Sequence, residues 1–283
     1  MAKGNLFLGT AAKSVGDVVM YRREGSQVSR VRVRKIANPK TDAQCEQRAF
    51  MAAVVKFYQP LANVLDRSWQ GMSRAKSYAK FLKTNAAIVR AGGYYLPKGS
   101  GFFPLPLKLS NGTLAPLAFN VNYNRITLGI DDMPSAPQSV ATIGNLSSIF
   151  VYGGAANGDV ITIIAVDSVT DELKVPHAWQ FIVNTESTDN LVTPNGLSIT
   201  IYDDSEDGKE LRIQGSWFGS AAALISARNN DGNWLRTTSF MDVDDQLLET
   251  VTSDEAKAAA IASYKGAAAS DNPLVYLDGD ELQ

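Results

Sequence analysis

Arginine occupies every second position from Arg30 to Arg34, with Val31 and Val33 between. In a strand, successive side chains alternate faces, so Arg30, Arg32 and Arg34 would form one row roughly 7 Å apart. That interval is close to every second nucleotide along a strand whose rise is about 3.4 Å. Such a row has the chemistry of a phosphate-backbone contact. Arg22, Arg23, Lys35 and Arg48 extend the cationic set, and Tyr21 stands beside it as an aromatic able to stack on an exposed base. A second set, Lys76, Lys80 and Lys83 with Arg90, recurs at intervals that gather side chains on one helix face. The ordinary reading of that stripe is a solvated face. Its place in the same half of the chain as the arginines argues for polyanion contact.

Other chemistry is poorly provided for. With one cysteine, Cys45, and one histidine, His177, neither a disulfide framework nor a cysteine- or histidine-based metal site can be assembled. Asp203, Ser205, Asp207 and Gly208 resemble the start of a calcium loop, but the twelfth position is Gln214 where a bidentate glutamate is required. The segment reads as a hairpin turn, as does Asn229 to Gly232. The acidic pairs Asp131 and Asp132, Asp203 and Asp204, and Asp244 and Asp245 sit in turn-like contexts. No phosphate-binding GxxxxGK, dinucleotide GxGxxG, HExxH or GxSxG pattern occurs. The expectation is a non-enzymatic protein without cofactor, metal or catalytic residues. His177 reads as a structural or surface residue. Cys45, near a helix start, reads either as a dipole-favoured thiolate or as part of an apolar face.

The formal charge of -2 over 283 residues conceals an uneven division. Residues 1–108 contain 19 Lys or Arg and 5 Asp or Glu, whereas 109–283 contain 8 and 24. One end of the chain is thus a candidate for a polyanion, and the acidic remainder is equally a candidate for the basic end of a neighbour. No apolar run approaches the roughly 18 residues a membrane helix needs, so no membrane partner is expected. The opening residues lack a convincing signal peptide, which makes the cytoplasm the expected site of synthesis.

The elements that must position these residues follow from periodicity. An irregular arm anchored by Leu6, Phe7 and Leu8 precedes a first strand at 15–22, a turn at Glu24, Gly25 and Ser26, and a second strand at 27–35. Asn38 or Thr41 would cap the next helix, and Thr41 with Gln44 three residues on forms the better box. Pro60 bends or restarts that helix. A further helix spans 73–90, packing through Tyr78, Phe81, Leu82 and Ile88. The aromatics Tyr94, Tyr95, Phe102 and Phe103 either seal a junction or stack on bases. Beyond 107, strands are expected at 117–121, 125–130, 138–143, 147–152, 159–167, 179–184, 197–202, 209–215, 221–228 and 234–239, without intervening helices. Thr252 and Glu255 signal a late helix at 253–264, and Leu274 to Leu277 a last short strand. The expected fold is α+β: an N-terminal β-hairpin with a small basic helical bundle over 1–106, then a mostly antiparallel, acidic β-sandwich-like domain over 107–283.

The succession GDVVMYRREGSQVSRVRVR and NPKTDAQCEQRAFMAAVVKFYQPL resembles an uncharacterised family of Bacteroidota and of their small tailless single-stranded DNA phages, the microviruses, whose members are often labelled DNA-binding. The resemblance rests on Gly16, Tyr21, Arg22 and Arg30 in the hairpin and on Asn38, Pro39, Thr41, Gln44, Gln47 and Arg48 at the helix start. Leu109, Ser110, Gly112 and Leu114, and then Trp234, Leu235 and Arg236, match later segments. The acidic segment from Asp242 onward departs from the family. The resemblance implies a phage or prophage setting, in the bacterial host cytoplasm or the virion.

Two functional expectations result. In the first, the protein binds nucleic acid, DNA favoured over RNA, through Tyr21, Arg22, Arg23, Arg30, Arg32, Arg34, Lys35, Arg48, Lys76, Lys80 and Lys83, with Tyr94 or Phe103 as further stacking platforms for single strands. In the second, it is a virion structural or assembly protein that self-associates or contacts a capsid through complementary basic and acidic surfaces.

Overall fold

Valines and Tyr21 separated by turn residues at 15–31 call for strands, and the computed structural model contains three: β1 (Lys13–Val15), β2 (Val18–Arg23) and β3 (Ser26–Val31). The structure describes residues 13–15, 18–23, 26–31, 40–134, 136–167, 176–204 and 208–265. It divides into two compact units, 1–40 and 41–283. In the first, the strands form an antiparallel meander in which Val18 pairs with Val31, Val19 with Arg30 and Arg23 with Ser26. Strand pairing thus begins at Lys13, earlier than expected. Arg30 and Val31 both face solvent, Val31 being 73% exposed, so this end of β3 has no buried face. The expected arm, the turn at Glu24 and Gly25, the strand's continuation through Arg32, Arg34 and Lys35, and the tail strand at 274–277 lie outside the described residues.

The second unit is organised by a strand that needs cover on both sides. VITIIAV, β7 (Val160–Val166), is almost wholly apolar, and a run of that kind cannot turn one face to water. It lies inside an antiparallel sheet ordered β12-β11-β7-β8, with β8 (Pro176–Ile182), β11 (Ala221–Asn230) and β12 (Asn233–Arg236); β14 (Asp242–Val243) also pairs with β11. Ile164 and Val166, with Ala221, Ala223 and Ile225, belong to a core built with α1 (Asp42–Leu61), α2 (Arg74–Gly92), α4 (Asp245–Thr252) and α5 (Asp254–Lys265). The alternate residues Ile161, Ile163, Ala165 and Ala222 belong to a second core. It is shared with α3 (Ile143–Tyr152) and an antiparallel sheet ordered β5-β6-β10-β9: β5 (Asn120–Asn122), β6 (Arg125–Gly129), β9 (Ser198–Asp204) and β10 (Gly208–Gln214). A short pair, β4 (Lys108–Ser110) with β13 (Ser239–Phe240), completes the unit.

The architecture is therefore mixed α+β, with an N-terminal strand assembly, helices, and then mostly antiparallel sheets. Residues on both sides of position 106 share one core: Phe57, Leu61 and Phe81 cluster with Ile164 and Ile225. The division between the two compact units falls at 40/41.

Several elements differ from the sequence reading. Residues 147–152 form the end of helix α3, and 138–143 form no strand. The β-branched and aromatic run SSIFVY suggested extension. However, Thr142 accepts a hydrogen bond from the Asn145 N–H (3.2 Å), and Leu146, Ile149 and Phe150 have the spacing of one helical face. Helix α1 begins after Thr41, but the Thr41 side chain makes no capping hydrogen bond, so the box with Gln44 does not form. Pro60 lies in the last turn of α1; having no N–H to donate to the Lys56 carbonyl, it is followed by the end of the helix at Leu61. The late helix is capped one residue beyond Thr252: Ser253 Oγ accepts from the Ala256 N–H (3.1 Å). Helix α4, which precedes it, was not expected; Asp244 caps it by accepting from the Gln246 N–H (3.1 Å).

Candidate nucleic-acid interface

Helix α2 presents the clearest cationic surface. Ser77, Phe81, Asn85 and Val89, each four residues apart, form its buried face. Two of them are polar and fix the rotation of the helix. Ser77 Oγ accepts from the Trp69 N–H (3.2 Å), and Asn85 both donates to the Lys108 carbonyl (2.9 Å) and accepts from the Lys108 N–H (2.8 Å). Gly93, in the left-handed region at φ 64°, ends the helix. With the inner face pinned, Lys76, Lys80 and Lys83 must face outward, and all three are exposed over about 10 Å of helix axis.

These lysines make no ion pair or hydrogen bond among the described residues, and α2 contains no acidic residue to neutralise them. Like charges one turn apart cost a few tenths of a kcal/mol each, about 0.2–0.5. Ala79 between them and Ala87 one turn beyond Lys83 are both exposed, so little side-chain bulk stands beside the ammonium groups. The ends of the stripe behave differently. Arg90 hydrogen-bonds Gln47, and Arg74 lies 3.4 Å from Asp66.

The remaining predicted residues distribute over both units. Arg30 is exposed on β3, and Tyr21, Arg22 and Arg23 lie on β2. Arg48 is half-buried on α1. Arg32, Arg34 and Lys35 lie outside the described residues. Of the proposed stacking aromatics, Tyr95 is buried against Phe50 (centroids 5.1 Å apart), and Phe102 packs on Phe57 (5.5 Å). Tyr94 and Phe103 pack against the same core. These residues seal the helical layer. The Tyr95 hydroxyl donates to Glu46 (3.0 Å), which also pairs with Lys257 (3.2 Å).

The other residues marked in the sequence have structural work. Cys45 is buried. His177 stacks on Trp217 (4.6 Å, 12°) with Nε2 3.8 Å from Asp167. Asp203 and Asp204 end β9 in a hairpin with β10, as the turn reading of that segment requires. Asp131 accepts from the Lys209 N–H (2.6 Å). Among the described residues no group of three metal-ligating side chains occurs, and no helix is long and apolar enough to cross a membrane.

One feature was missed in the sequence. A cleft of about 470 Å³ is lined by Arg67, Trp69, Gln70, Asn233, Trp234 and Arg236, among others. Burial pulls the Arg236 guanidinium down from its usual pKa, against the opposing field of Asp66. Alternation in NWLR, directly after a turn, places Trp234 and Arg236 on one strand face and was the available signal. The partner wall, 67–72, is distant in sequence and gave none.

A family model, described as a family of unknown function (DUF6266), matches residues 10–94, which contain β1 to β3, α1 and α2. The later segments from Leu109 and from Trp234 lie beyond the match. Comparisons with curated proteins and with solved structures each returned no match.

Proposed function

We propose that the protein is a non-enzymatic nucleic-acid-binding protein, phage or prophage encoded, that contacts the DNA backbone through its arginine and lysine rows in the host cytoplasm or the virion. The observation that carries this reading is the stripe Lys76, Lys80 and Lys83: exposed, on a pinned helix, without acidic partners among the described residues. Arg30 on β3 adds an exposed cation in the other unit. Contacts of this kind go to phosphate and confer little sequence preference.

The test is fluorescence anisotropy of the full chain with labelled single-stranded and double-stranded DNA over a salt series. Log affinity should fall linearly with log salt. The triple change Lys76→Ala, Lys80→Ala, Lys83→Ala should weaken binding and reduce the slope by about 0.7–0.9 for every phosphate that is no longer neutralised. A folded protein that binds neither DNA at low salt would overturn the proposal.

A second reading, virion assembly by self-association or capsid contact, draws on exposed apolar residues: Val31 on β3, and Ile182 at 63% on the edge strand β8. It predicts a concentration-dependent oligomer that Ile182→Lys dissociates. A monomer at all concentrations would remove this reading.

A further inference from the structure

We infer that the cleft between the 67–72 turn and the β11–β12 hairpin is a nucleotide site, with a nucleobase stacked on Trp234 and its phosphate held by Arg67 and Arg236. This deepens the nucleic-acid reading and rests on it for the single strand as ligand source; a free mononucleotide is the other source of the same chemistry.

The walls are held by backbone contacts before any ligand arrives. The Asn111 N–H donates to the Ser68 carbonyl (3.1 Å), and the Gln70 N–H to the Asn111 carbonyl (3.0 Å). The Gln70 side-chain carbonyl accepts from the Thr113 N–H (2.9 Å) and the Arg236 N–H (3.4 Å), and the Leu114 N–H donates to the Arg236 carbonyl (3.0 Å). Gly112 permits that approach, because a Cβ there would stand 2.1 Å from the Arg236 oxygen. Preformed walls lower the ordering cost of binding.

Three features then point to an anionic aromatic ligand. Trp234 is 43% exposed on the edge strand, whereas Trp69 in the opposite wall is 2% exposed and belongs to the core. The Arg236 guanidinium is half-buried yet makes no hydrogen bond or ion pair among the described residues, so only the field of Asp66 offsets part of its lost hydration there. Arg67 stands at the mouth, exposed, with φ at 54°, a conformation that non-glycine residues rarely adopt and that ligand sites often retain. A phosphate would offer both planar guanidinium forks anionic oxygens to bind in pairs. Asn230 and Asn233 add amides suited to a base edge. The volume of about 470 Å³ lies within the range of about 300–1,000 Å³ of small-ligand sites.

The test titrates the full-length protein with deoxyadenosine monophosphate, deoxyadenosine, inorganic phosphate and a five-residue oligodeoxyadenylate, read by calorimetry and tryptophan fluorescence. The monophosphate should saturate and quench fluorescence, with deoxyadenosine and phosphate each binding at least about tenfold more weakly. Trp234→Ala and Arg236→Lys should each weaken the monophosphate about tenfold, and Trp234→Phe should keep most of the affinity. Thermal melting checks that each variant folds. If the oligonucleotide also loses affinity with Trp234→Ala, the single strand is the source. Binding of the monophosphate without the oligonucleotide makes the free nucleotide the source while the site stands, and DNA binding through the lysines is then decided by the salt series alone. No saturable monophosphate binding, or unchanged affinity in both Trp234→Ala and Arg236→Lys, overturns the inference. In that case salt-dependent DNA binding through the lysines would stand on its own.

Discussion

Two arginines of the sheets, Arg212 and Arg228, and the three lysines of α2 have opposite surroundings. Arg228 forks onto Asp159 with bonds of 2.8 and 2.7 Å, and Asp159 is 1% exposed. Arg212 is hydrogen-bonded to Glu210 and lies over the Tyr202 ring at 3.4 Å. Arg228 and Arg212 are thereby committed to partners within the fold. Lys76, Lys80 and Lys83 hold nothing, since the buried contacts that fix α2 come from Ser77, Phe81, Asn85 and Val89 on its far side. The difference teaches that net charge alone locates no interface. What matters is whether the fold has already provided each cation with a partner.

The largest effect that would sharpen this contrast is Asp159→Ala. It strands Arg228 and also removes the acceptor of the Ala156 N–H (2.7 Å), so urea denaturation should show a loss of about 3 kcal/mol. A loss near zero would mean that the sheet arginines are as dispensable as the lysines. Alkaline pH provides a second contrast, between the two cores. Burial raises the pKa of Tyr58, Tyr94 and Tyr264, and of Tyr95 together with its bond to Glu46; all four border the helical core. Below the ordinary value of 10.0 they are neutral folded or unfolded; above it the unfolded chain ionises first, so stability falls as pH rises through this window. Lys257, raised by its bonds to Tyr95 and Glu46, acts in the same direction from 10.5 upward. Denaturation midpoints at about pH 8 and about pH 11 should differ, and Tyr95→Phe should narrow the difference.

Smaller effects test the local devices. Thr142→Ala removes the cap of α3 and should cost about 1 kcal/mol, measurable as a lower urea midpoint without a change in slope. The smallest stability change belongs to Lys80→Glu. Opposite charges toward Lys76 and Lys83 should stabilise α2 by about 0.3 kcal/mol per pair while DNA affinity falls. A variant that gained stability and kept its affinity would show that the stripe is only a solvated face.

Legibility followed the range of the forces involved. Local signals placed α2 within two residues at each end, and turn chemistry placed the β9–β10 and β11–β12 hairpins. Asp231 and Gly232, at φ 48° and 83°, make the tight turn that the dipeptide suggests. The run at 147–152 misled because β-branched residues favour strands only where a sheet offers them a place; here Thr142 and the 146, 149, 150 spacing prevailed. Ser77 and Asn85 look like surface residues until their partners, Trp69 and Lys108, are brought to them.

By itself the sequence determined the uneven charge, the absence of a cysteine or histidine framework, the α+β class, and the helical spacing that collects Lys76, Lys80 and Lys83. These depend on covalent order and on periods of two and 3.6 residues, which can be counted along the chain. Only the tertiary structure decided that β7 is covered by two different cores, and that Arg228 is neutralised while Arg236 is not. It also brought Arg67 and Trp234 to face one cleft. Each of these joins residues separated by tens to more than a hundred positions, and such pairing is set by packing and desolvation, which no local pattern encodes.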